Sequence, residues 1–125
     1  MRIGKVIGTV TPGRIHPALV GAQLKIVVPL AFNDLTGDHP VYVKNDYQAA
    51  DSSDSQKEIH RRPGAELVVY DELSAGIGQW VAFSEGAEAS MAFYPNNKPI
   101  DAYAGLILDT IEIDEATVQS LCNKK

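Results

Sequence analysis

The feature that most constrains the fold is a run of short β-branched segments broken by glycine and proline. From Arg2 to Val10 the chain reads RIGKVIGTV and closes on Thr11-Pro12-Gly13, the pattern of a strand entering a turn. Gly4 and Gly8 stand four apart, so in a regular strand they share one face, where a missing side chain permits a sharp bend or the close approach of another backbone. Gln23 to Leu30 alternates: Leu24, Ile26, Val28 and Leu30 point one way, Gln23 and Lys25 the other. Pro29 lacks an amide donor, which predicts an edge or a bulge there. Glu66–Asp71 and Trp80–Phe83 read as further strands, separated by the glycine-bearing turn Ser74-Ala75-Gly76-Ile77-Gly78. Gly86 to Phe93 holds helix formers for about two turns, stopped by Pro95-Asn96-Asn97. Ala102 to Ile113 is apolar on both faces near Leu106 and Leu108, the expectation for the most buried strand. Asp114 is placed to cap a last helical turn or two through Leu121, with Glu115 at its N-terminus. Five or six short strands and one or two small helices predict an all-β, barrel-like fold.

Length and charge narrow the function. With 125 residues the chain is read as one domain, 1–125. Eleven basic against 16 acidic residues leave a net charge of −5, which opposes phosphate backbones and anionic lipid, so neither nucleic acid nor membrane is expected as a partner. Cys122 is the single cysteine, so no intrachain disulfide and no multi-cysteine metal site is expected, and a reducing cytoplasm fits. No segment approaches the length of an apolar membrane span. Between about residues 33 and 65 the character changes. Asn33 to Asp38 has turn chemistry, Val41-Tyr42-Val43 reads as a short strand, and Asp46 to Arg62 has too few large apolar residues for a core and is expected to be an exposed loop.

No catalytic pattern emerges. His16, His39 and His60 are scattered through loop-like segments with no local ligand partner, so a metal site is not expected. Asp71-Glu72 and Asp114-Glu115 are adjacent pairs pointing to opposite faces, better suited to turns and caps than to acid/base work. Ser74, Ser84 and Ser90 lack the setting of a nucleophile elbow. Gly76 and Gly78 lack the third glycine and the following long helix of a dinucleotide loop. Trp80, Tyr70, Tyr94 and Tyr103 are able to stack bases, but core or subunit contact is the better reading for Trp80 in a short apolar strand.

Four segments together, RIGKVIGTV, GAQLKIVVPL (21–30), ELSAGIGQWVAFSEGAEAS (72–90) and KPIDAYAGLILDTIEI (98–113), resemble the CcmL/EutN family of bacterial microcompartment vertex proteins. That resemblance implies a small five-stranded OB-like barrel with short helices. It also implies a structural role without catalysis or cofactor: a homopentamer capping the five-fold vertices of a shell in the bacterial cytoplasm, beside hexameric shell proteins. A closed polyhedron of hexameric tiles needs five-fold points, and a ring-closing heterologous interface supplies them. The resemblance assigns Ser74, Ala75, Gly76, Ile77, Gly78 and Trp80 to the oligomer interface or five-fold axis, and Lys98, Pro99, Ile100 and Asp101 to a second motif loop. Two departures stand out: Ser90 occupies the place of a frequent arginine, and the connection at 33–65 is longer than usual. The alternative is an OB-like module for a small ligand or single-stranded nucleic acid.

Overall fold

In a computed structural model of the chain, residues 1–31, 35 and 65–123 are described. The expected short strand at 41–43 and the loop at 46–62 lie outside them. Five strands form in order: β1 (Arg2–Val10), β2 (Gln23–Pro29), β3 (Leu67–Asp71), β4 (Trp80–Glu85) and β5 (Ala102–Leu108). They close into a barrel in the order β1-β2-β3-β5-β4. All neighbours are antiparallel except β3 and β5, which meet in parallel at Tyr70 and Tyr103.

The alternation in β2 gives two faces, but the interior takes Val27, on the face of Gln23 and Lys25, while Leu24, Ile26 and Val28 on the apolar-looking face are only half-buried. Val6, Val27, Val69, Val81, Phe83, Ala102 and Ala104 fill the interior, joined by Ala75 from the turn after β3. Valine and alanine dominate because a five-stranded barrel is narrow, and Phe83 is the largest fully buried side chain. The interior between Val6, Val27, Val69, Val81 and Ala104 is too tight for a water molecule, so it has no room for a ligand.

Several expectations change. Gly4 and Gly8 do not share a face, because a bulge at Ile7 shifts the register between Val6↔Val27 and Gly8↔Ile26. Gly4 therefore points inward, where a methyl group would collide with Val27 Cγ1 and lie 2.9 Å from both the Val28 carbonyl oxygen and Phe83 Cε1, whereas Gly8 faces Ile26 on the outside. Gly4→Ala should destabilise the fold by about 1–3 kcal/mol, read as a lower urea midpoint at unchanged slope. Pro29 is neither at a sheet edge nor at a bulge: it is the last residue of β2, paired with Gly4, and the bonding to β1 continues past it, the Leu30 amide donating to the Ile3 carbonyl at 2.9 Å.

β5 stops at Leu108, short of Ile113, and it is not buried along its length: Leu106 is 49% exposed. A one-residue register shift between Ala82 and Phe83, opposite Gly105, separates its buried half (Ala102, Ala104) from its exposed half. The helix expected over Gly86–Phe93 is two short pieces, α1 (Ala87–Ser90) and a 3-10 turn (Met91–Phe93). The last helix, α2 (Glu115–Cys122), starts as expected, with the Asp114 carboxylate accepting from the Thr117 amide at 3.2 Å and from the Thr117 hydroxyl. Those bonds, the hydroxyl first, hold the Asp114 carboxyl below the usual aspartate range.

Candidate functional site

The glycine turn between β3 and β4 is tied down by its own chain. Asp71, 1% exposed at the end of β3, accepts from the Leu73 amide through Oδ1 (2.9 Å) and from the Ala75 amide through Oδ2 (2.7 Å). Ser74, between them, adopts a left-handed φ of 61°, and Gln23 Nε2 donates to its hydroxyl at 3.4 Å. Ala75 is 1% exposed and plugs the barrel interior. The Gly76 amide donates to Gln79 Oε1 (2.6 Å), and the Gly78 amide, at a φ of 88° that favours glycine, donates to the Val6 carbonyl (2.8 Å). Val6 returns the bond to the Gln79 carbonyl at 2.9 Å. The turn is thus a rigid surface feature with Ser74, Gly76, Ile77 and Gly78 outward and Ala75 inward.

Trp80 follows as the first residue of β4, half-buried on the outer face. Its register partners are Lys5 and Leu108, and the Lys5 ammonium lies 5.8 Å from the indole centroid. The turn and Trp80 therefore lie next to each other at one end of the barrel.

The second motif does different work. Lys98 Nζ sits 4.6 Å from the Phe93 ring centroid and 4.9 Å from that of Tyr70, and donates to the Tyr70 hydroxyl at 3.1 Å. Phe93 stands edge-on to Tyr70 (5.3 Å) and to Tyr103 (5.2 Å), so the 3-10 turn is held against β3 and β5 by an aromatic box with an ammonium in it. Pro99 is exposed and Ile100 half-buried, while the Asp101 carbonyl accepts from the Gly86 amide at 2.8 Å and fixes the start of α1. The Tyr103 hydroxyl donates to Glu72 Oε2 at 2.7 Å. That bond, then desolvation and the carboxylate charge, pushes the Tyr103 phenol up to about 12. Ultraviolet titration should show a phenol ionising near 12 that disappears in Tyr103→Phe. Because the folded value lies above the unfolded one, this contribution to stability is complete below pH 10 and fades as the pH rises towards 12.

Sequence reasoning assigned the Asp71-Glu72 pair to turn chemistry but did not single out Asp71, which faces inward while Glu72 is exposed. Asp71→Asn would set an amide NH2 against a backbone N–H. It should cost about 1–3 kcal/mol and remove hydrogen-exchange protection at Leu73 or Ala75. Of the histidines, His16 is described: it is exposed and its Nδ1 accepts from the Ala18 amide at 3.1 Å. His39 and His60 lie outside the described residues. Among those residues no group of three or more His, Cys, Asp or Glu side chains is arranged to hold a metal ion.

A closed five-stranded barrel in the order β1-β2-β3-β5-β4, with short helical pieces between β4 and β5, is the OB-like architecture the sequence suggested. The family profile described as ethanolamine utilisation protein EutN/carboxysome matches residues 1–109, and the chain belongs to that family. It is 27% identical over 121 residues to the carboxysome shell vertex protein CcmL of Gloeobacter violaceus, covering 96% of this chain and 94% of that protein. Among solved structures it resembles the GrpN pentameric microcompartment shell protein from Rhodospirillum rubrum (28% identity, TM-score 0.59, 91% of this chain and 100% of that one). It also shares its fold with EutN from Escherichia coli (22% identity, TM-score 0.59, 90% and 89% covered).

Proposed function

We propose that this chain is a structural shell protein whose homopentamer caps the five-fold vertices of a bacterial microcompartment. The observation that carries this reading is similarity over nearly the whole chain to a named shell vertex protein and to a pentameric shell protein. In this reading the chain catalyses no reaction, resides in the shell, and meets hexameric shell tiles at its rim. The rigid turn supplies the ring contact: Ser74, Gly76, Ile77 and Gly78 face the neighbour, Ala75 anchors them from below, and Trp80 flanks them. Small residues there let two backbones approach closely. Lys98 and Asp101 shape the protomer by holding the aromatic box and the start of α1, and Pro99 and Ile100 complete that loop.

Native mass spectrometry at low micromolar concentration tests the assignment. Five chains of 13.5 kDa give about 67.5 kDa, the mass expected for the ring. A monomer at every concentration would overturn it.

A further inference from the structure

We propose that residues 109–123 form an arm that leaves its own barrel and packs on a second copy of this chain within the ring, an inference that rests on the pentameric reading. The first observation is a helix without a floor. α2 has eight residues, none of them buried, and no substantial packing against any strand. Isolated helices shorter than about 12 residues are marginal in water, and an N-cap alone does not hold them. Val118, Leu121 and Cys122 nevertheless fall on one face at helical spacing, with Leu121 61% exposed. Such a stripe is built to be covered.

The second observation is where the arm departs. Leu108, the last residue of β5, pairs with Trp80, and the antiparallel register sends the chain onward past Gln79 towards the glycine turn. The arm is therefore launched at the end of the barrel that carries the proposed ring contact. Six residues, 109–114, precede the helix and can span up to about 20 Å, enough to reach an adjoining subunit of this size. The family profile ends at residue 109, whereas the similarity to CcmL of Gloeobacter violaceus takes in 121 of the 125 residues, so the arm lies beyond the profile but has a counterpart in that relative. Asp109, Glu112, Asp114 and Glu115, with no lysine or arginine before residue 124, oppose an anionic membrane as the covering surface. A neighbouring copy, already held beside the arm, is the occupant that requires no separate encounter.

The test uses the full chain. Leu121→Glu places a charge in the stripe, whereas Ser120→Glu places the same charge on the opposite side of the same helix. The first should raise the protein concentration at which half the rings dissociate by about tenfold or more, and the second should leave it unchanged. Cys122, the single cysteine, gives an independent readout on the unaltered protein: its thiol should react with a chromogenic disulfide reagent about tenfold more slowly in rings than in Leu121→Glu. Rings of Leu121→Glu as tight as the parent, or a Cys122 thiol equally reactive in both, would overturn the arm while leaving the pentamer standing. A parent chain that never assembles overturns both readings.

Discussion

Phe83→Ala should lower the stability of the protomer by about 3–5 kcal/mol, a large fraction of the roughly 5–15 kcal/mol that holds a typical domain. The magnitude follows from what surrounds the ring. Phe83 is 0% exposed, and its buried neighbours Val6, Val27, Val69, Val81, Ala75, Ala102 and Ala104 are all short and lack the flexibility to swing into the space it leaves. A cavity therefore persists, and the loss of dispersion contacts adds to the transfer term. Phe83→Leu should lose less, because it keeps most of the volume. Urea unfolding on a monomeric background is the measurement, since ring formation would otherwise make the midpoint depend on concentration. A midpoint for Phe83→Ala within error of the parent would mean that the barrel interior is packed differently.

That monomeric background is the second large effect. Gly76→Glu should convert a 67.5-kDa species into one of 13.5 kDa across the low micromolar range, while far-UV circular dichroism stays unchanged. Gly76 does not need a left-handed backbone, and a Cβ there meets only Gln79 Oε1 at 3.5 Å, an ordinary contact. The protomer therefore accepts the side chain, and the penalty falls on the proposed ring contact, into which an unpartnered carboxylate would be driven. Gly76→Ala should weaken the ring less. An intact pentamer of Gly76→Glu would remove the turn from the ring contact.

The strands were legible because their signals are local. Alternation in Gln23–Leu30 and the β-branched run at Arg2–Val10 place β1 and β2 within a residue of their observed bounds, and Asp114 announced the cap of α2. The exposed half of β5 was not legible. Leu106 and Leu108 register in a sequence as apolar, but the sequence does not say which surface covers them. The bulge at Ile7 was hidden for a related reason: it is a property of the pairing of β1 with β2, and no residue in β1 marks it. The glycine turn was found through its composition, whereas Asp71, which fixes its shape, looks like any aspartate before a turn. The box around Lys98 joins Tyr70 to Phe93 and Tyr103, 23 and 33 positions further along the chain, and becomes visible only once β3 and β5 lie side by side.

The pairing of Val27 with Leu67 has a practical consequence. These two facing residues on adjacent strands bracket the whole intervening stretch of chain, so whatever is threaded between them begins and ends a few ångströms apart. Closing a longer connection across so short a gap adds only about 0.6 kcal/mol per doubling of its length. The site is a natural port for a grafted reporter domain whose own termini lie close together.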